Sequence, residues 1–112
     1  MPSEQVVSVS NENWKTEVEQ SGLPVLVDFW ASWCGPCRMV SPIIDTLGRK
    51  HKGKIKVVKV NVDDNQELAM KYGIMSIPTI ILFNKGKMVD SAVGAAPAEY
   101  YEQFVKNNGI PL

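Results

Sequence analysis

Val25-Leu26-Val27-Asp28-Phe29-Trp30-Ala31-Ser32-Trp33-Cys34-Gly35-Pro36-Cys37 is the stretch that decides the fold. Its first half, Val25 to Trp30, is a nearly continuous apolar run, the mark of a central strand buried on both faces. A long helix is expected to begin around Cys34. Its apolar set, Met39, Val40, Ile43, Ile44 and Leu47, follows the spacing of one helix face. Pro42 falls inside that helix, where it has no N–H to bond back to the Arg38 carbonyl, so a kink is expected. A buried strand running directly into a helix places the two cysteines at the carboxyl end of a sheet, where open α/β sheets carry their sites.

Outward from this stretch the elements alternate. Val6 to Val9 reads as a short strand, and Ser10 or Asn11 can cap a helix carrying Trp14 and Val18 on one face. Ser21-Gly22-Leu23-Pro24 ends it. Ile55 to Val62 is a second strong strand, and Asn65 can cap a short helix with Leu68, Ala69 and Tyr72 that Gly73 terminates. Thr79 to Phe83 and Met88 to Val93 are strands joined by Asn84-Lys85-Gly86-Lys87, a turn that suits an antiparallel hairpin. A final helix offers Tyr100, Tyr101, Phe104 and Val105 as its buried face. The order β-α-β-α-β-α-β-β-α predicts a mixed α/β sheet with helices on both faces, in a single domain spanning residues 1–112.

The chain has 112 residues, 12 basic and 12 acidic, so no strong net charge draws it to an anionic or cationic partner. Its densest basic stretch, Arg49 to Lys54, reads as a solvated helix end, His51 included, and the one-sided basic surface of a nucleic-acid binder is missing. No run approaches the ~18 apolar residues that would span a bilayer, and Met1 to Gln5 lacks a signal pattern. A reducing, cytoplasmic setting is expected, or an organelle stroma or matrix if a transit peptide was removed.

The two cysteines lie three positions apart, so a bridge between them closes a tiny loop and clamps little. A Cys-x-x-Cys pair in an α/β context reads as a redox motif instead. The unpaired N–H groups and positive dipole end at the start of a helix stabilise an anion, so the Cys34 thiol should ionise readily and be the attacking sulfur. Cys37, one turn along the same face, should be less exposed and act second. Pro36 fixes φ in the first turn, and Trp33 would offer a flat, partly exposed surface to a substrate chain. Zinc would need more ligands than two cysteines and the single His51. Asp28 interrupts an apolar strand, so it lies either at a solvated edge or buried with a raised pKa. Lys59, by itself, reads as a strand-face lysine with its head in water. Phe29 and Trp30 read as core, and the methionines mostly as packing filler.

The quoted stretch closely resembles the active-site segment of the thioredoxin family. So do Lys59-Val60-Asn61-Val62-Asp63, Tyr72-Gly73-Ile74, Ser76-Ile77-Pro78-Thr79 and Val93-Gly94, in the family's order and spacing over nearly the whole chain. The resemblance implies a five-stranded mixed sheet, order 1-3-2-4-5, flanked by four helices. It implies a protein-disulfide reductase working by dithiol–disulfide exchange, since Gly35-Pro36 matches the reductants, whereas oxidising or isomerising relatives usually carry a histidine there. Cys34 becomes the nucleophile and Cys37 the resolving thiol. Asp28 becomes a buried proton acceptor for Cys37, and Lys59 its electrostatic neighbour on the adjacent strand. A cis Ile77-Pro78 bond is implied, with a substrate groove formed by Trp33, Gly35, Pro36, Ile77, Pro78 and Gly94. No bound cofactor is implied, and no metal. Reducing equivalents come from an external thioredoxin reductase, and the partners are disulfide-containing proteins met by a monomer, not nucleic acid or membrane. Met75 stands where many relatives have a polar or basic residue, which bears on partner choice. Ser41 before Pro42 is a lesser departure. Two rival classes are an oxidant or isomerase on the same fold, and a binding module for which the thiol pair is incidental.

Overall fold

The computed structural model describes residues 6–112; the Met1–Gln5 opening lies outside them. Strand β2 (Val25–Trp30) is buried along almost its whole length because both of its sides are paired. β3 (Lys56–Asn61) runs parallel on one side and β4 (Thr79–Asn84) antiparallel on the other. β1 (Val6–Ser8) joins β3 in parallel, and β5 (Lys87–Val93) closes the other edge. The sheet order is β1-β3-β2-β4-β5, as the sequence resemblance implied. The hairpin turns at Lys85 and Gly86, both at positive φ, which matches the twist of the strands it joins. A Cβ on Gly86 would come within 2.9 Å of the Glu19 carbonyl oxygen, so that position has no room for a side chain.

Alternation along the strands divides the core in two. Leu26, Val57, Ile80 and Leu82 pack against α1 (Gly35–Lys50) and α3 (Ala98–Asn107). Val25, Val27, Phe29, Val58, Val60, Ile81 and Phe83 face Trp14, Val18 and Leu68, the last on α2 (Gln66–Lys71). α2 ends as expected at Gly73. The Gly73 and Ile74 N–H groups bond back to Met70 and Ala69, closing the orphan carbonyls of the last turn.

Several local expectations are corrected. The segment around Trp14 and Val18 is a five-residue wide-turned π-helix, Lys15–Glu19, in which the Gln20 N–H reaches back to the Lys15 carbonyl. Neither Ser10 nor Asn11 caps it, because Ser10 is held in a preceding turn with Asn13. The Asn65 side chain, at the cap position of α2, instead bonds the Asn61 carbonyl and the Asn11 N–H, tying two loops together. On α1, Val40, Ile44 and Leu47 are buried but Met39 is exposed. On α3, Tyr100 is exposed while Tyr101, Phe104 and Val105 are buried. Both exposed residues flank an apolar stripe narrower than the sequence pattern allowed. Met70, Met75 and Met88 are also exposed, so these methionines, with Met39, are not core filler. His51 is not solvated. It is buried at the end of α1 with Nε2 2.8 Å from Glu102 Oε2 of α3, a partner 51 positions away that no local pattern announces.

Candidate active site

β2 delivers the chain to a tight turn in which the Cys34 N–H bonds the Ala31 carbonyl at 3.2 Å. Cys34 then caps α1 in an extended conformation, and its Sγ accepts the Cys37 N–H at 3.2 Å. A sulfur thus occupies the place that a serine or aspartate oxygen takes at most helix starts. Pro36 sits in the first turn, where its missing N–H costs nothing. The Cys34 and Cys37 sulfurs are joined as a disulfide. Both residues are buried in this bridged form, so exposure does not separate them as the sequence led us to expect. Their surroundings do. Cys34 Sγ lies 3.8 Å from the Ile77 carbonyl oxygen, whereas Cys37 lines a recess on the other side with Trp30, Ala31, Ser32, Arg38 and Ser41.

The Ile77-Pro78 bond is cis, as the resemblance implied. Trp33 is 67% exposed and is steadied by its indole N–H, which donates to Asp63 Oδ2 at 2.9 Å. Trp33 and Ile77 share an open recess of about 450 Å³ with Val62, Ala69, Ile74, Met75 and Ser76. Met75, in that recess, is 96% exposed. Of the six residues expected to form the groove, only Trp33 and Ile77 line this recess. Gly35 and Pro36 are exposed at the start of α1. Gly94 is joined to Pro78 through an N–H···O=C bond of 2.8 Å. Gly94 has φ +91°, and a Cβ there would meet no atom within 4 Å. Its conformation, rather than crowding by the fold itself, is what calls for glycine.

Asp28 faces the α1 and α3 side of the sheet, the side also taken by Leu26 two residues earlier. It is 1% exposed, and neither carboxylate oxygen has a hydrogen-bond partner among the described residues. Of the two alternatives, the buried one holds. Burial pushes its carboxyl up to about 7, the positive charge of Lys59 pulling back and the negative charge of Asp45 adding to the rise. Lys59 stands opposite Asp28 in the β2–β3 register. Its head is not in water. The ammonium is buried against α1, 2.8 Å from Asp45 Oδ1, and it donates to the Ser41 hydroxyl and to the Ser41 carbonyl at 3.3 Å. Sequence reasoning missed Asp45 altogether and set Ser41 aside. The available signal was spacing: Cys37, Ser41 and Asp45 recur every four residues on one face of α1. Among the described residues there is no group of three or more histidine, cysteine, aspartate or glutamate side chains placed to hold a metal ion, and no helix is long and apolar enough to cross a membrane.

The sequence profile of the thioredoxin family matches residues 5–107. Thioredoxin 1 of a Nostoc species is 51% identical over 100 residues, which cover 89% of this chain and 94% of that protein. A thioredoxin of a Synechocystis species is 55% identical over 89 residues, covering 80% and 83% respectively. Thioredoxin M4, chloroplastic, of Arabidopsis thaliana is 46% identical over 102 residues, 91% of this chain and 53% of that protein. With a bridged cysteine pair at the strand–helix junction behind Trp33, the chain belongs to the thioredoxin family and is a thiol–disulfide oxidoreductase, a protein-disulfide reductase acting through Cys34 and Cys37.

Proposed function

We propose that the two sulfurs have fixed and different duties: Cys34 attacks, Cys37 resolves, Asp28 accepts the proton of Cys37, and Lys59 tunes Asp28. In the reduced protein the Cys34 thiolate attacks one sulfur of a partner's disulfide. That S–S bond breaks, a mixed disulfide forms, and the departing partner thiolate takes up a proton. Cys37 then gives its proton toward Asp28 and attacks Cys34 Sγ, releasing the second partner thiolate. Two electrons have passed to the partner, whose two thiolates take their protons from solvent, one of them replaced as Asp28 returns the Cys37 proton to solvent. The Cys34–Cys37 disulfide is left for reduction by an external thioredoxin reductase.

The observation that carries this order is the one-sided hydrogen bond at the helix start: the Cys34 sulfur accepts a backbone N–H there, which favours its thiolate. The backbone of Ile77, beside that sulfur, is suited to pair with an extended partner segment, a form of strand addition. Trp33 and Ile77 supply the apolar rest, with Gly35, Pro36, Pro78 and Gly94 around it. The work is that of a monomer without a bound cofactor, in a reducing compartment such as the cytoplasm.

The test is trapping. Cys37→Ser should accumulate mixed disulfides with partner proteins on a non-reducing gel, and Cys34→Ser should accumulate none and lose turnover. Trapping by Cys34→Ser would reverse the order, and a cellular role that survives loss of both cysteines would point to a binding module.

A further inference from the structure

The proposed proton acceptor and the lysine that tunes it sit side by side, yet they do not pair. Asp28 and Lys59 are opposite one another on parallel neighbouring strands, both buried, and on the same face of the sheet. Burial of an unpaired carboxylate is costly, and a neighbouring ammonium is its natural partner. Here that ammonium points at α1 instead. It forms an ion pair with Asp45 Oδ1 at 2.8 Å, without hydrogen-bond geometry, and bonds both oxygens of Ser41, while both oxygens of Asp28 have neither an ion pair nor a hydrogen bond among the described residues. The helix supplies this alternative through its repeat: Ser41 follows Cys37 by four residues and Asp45 follows Ser41 by four, so one face carries the resolving sulfur and both anchors of the lysine.

We infer that Asp45 is a positioning residue: with Ser41 it holds the Lys59 ammonium on α1, and so keeps Asp28 free of a direct ion pair and able to take a proton. The inference rests on Asp28 being the acceptor for Cys37. Other groups facing Asp28 are few. Lys59 comes from β3, Asp45 and the Cys37 face from α1, and Tyr101 from α3, whose hydroxyl donates to the Gly94 carbonyl. From β4 the residue in register is Ile80, which carries no charge. Lys59 is therefore the cation that decides how Asp28 ionises, and Asp45 and Ser41 are what holds it in place. A lysine released from them would settle on Asp28 and hold it ionised, making it a weaker base at the pH where Cys37 must act.

The experiment follows the Asp28 carboxyl resonance by NMR across pH in wild type, Asp45→Asn, Ser41→Ala, Lys59→Met and Asp45→Asn with Lys59→Met. In the same variants the pH profile of mixed-disulfide resolution is measured by single-turnover release of a partner. Asp45→Asn should lower the Asp28 midpoint by about one pH unit, the effect of a newly available opposite charge. Ser41→Ala should move it the same way by less, and it keeps the test alive if Asp45→Asn does not fold. In the Lys59→Met background the Asn substitution should shift the midpoint by less than half as much, since the cation it released is gone. An unmoved midpoint overturns the inference, and so does a shift that persists undiminished without Lys59, because Asp45 would then act only as a repelling charge. A midpoint that moves while the resolution profile stays put upholds the held lysine and removes Asp28 from proton transfer.

Discussion

The two faces of the same strand pair, β2 and β3, are built on opposite rules. On one face Val25, Val27, Phe29, Val58 and Val60 meet Trp14, Val18 and Leu68, and the one charged strand side chain there, Lys56 at the start of β3, is partly exposed and pairs with Glu17 at 3.0 Å. On the other, Leu26 and Val57 are followed along the strands by Asp28 and Lys59, equally buried and one residue away in sequence from the apolar set. The first face maximises apolar burial, which stabilises the fold wherever it is measured. The second gives up part of that to keep two ionisable groups buried under α1, the helix that Cys34 caps. A buried carboxylate without a partner weakens the fold, a cost that the proposed proton transfer from Cys37 would explain. The stability supplied by the fully buried side chains should therefore be independent of pH on one face and dependent on it on the other.

The largest expected effect tests the first half of that statement. Phe29 is fully buried in the aromatic cluster with Trp14, their ring centres 6.4 Å apart. Phe29→Ala should cost about 3–5 kcal/mol in urea unfolding, through lost transfer energy and the cavity left behind. The loss should be the same in acid and in mild alkali, and a marked difference between the two would break the contrast between faces.

Asp28→Asn tests the second half, with the opposite sign. The carboxyl has an ordinary value of 3.8 and is raised to about 7 when folded. Between those values the unfolded chain releases its proton while the folded chain keeps it, so stability falls as pH rises through that window and levels off above it. The asparagine variant lacks this slope. Above the window it should be more stable than wild type by roughly 3 kcal/mol, each pKa unit being worth about 1.4 kcal/mol and the buried amide keeping part of the burial cost. Near the ordinary carboxylate value the two proteins should converge. Parallel pH–stability curves would mean Asp28 is not the titrating group.

What could be read from the chain divides along similar lines. β2, the Cys34 helix start and the hairpin at Lys85–Gly86 are announced by neighbours in sequence: an apolar run, a Cys-x-x-Cys pair ahead of a helix, a glycine where φ must be positive. The sheet order and the cis bond before Pro78 were legible only through resemblance. Partners set by tertiary contact were not legible. Lys59 pairs with Asp45 of α1, and His51 is buried against Glu102 of α3, and in each case the residue's own surroundings suggested solvent. The exposure of Met39 and Tyr100 was missed for a related reason, since periodicity marks the direction of an apolar face better than its width. Asp28 shows the limit most directly, because sequence left a solvated and a buried reading open and only packing could choose between them.

The smallest effect is the sharpest test, because it removes a polar contact from the apolar face without touching its shape. The Trp14 indole N–H donates to the Tyr72 hydroxyl at 3.2 Å, and the Tyr72 ring stands edge-on to Phe83 with centres 5.1 Å apart. Tyr72→Phe keeps the ring and leaves a buried indole N–H without its acceptor, which should cost about 1 kcal/mol. The loss should be constant from acid to mild alkali, and resolution of mixed disulfides should proceed at the wild-type rate. A loss that varied with pH would show that the charged face reaches through the sheet to this one. A constant loss, set beside the sloping one at Asp28, would place the pH dependence of the fold on the side that carries Asp28, Lys59 and Asp45.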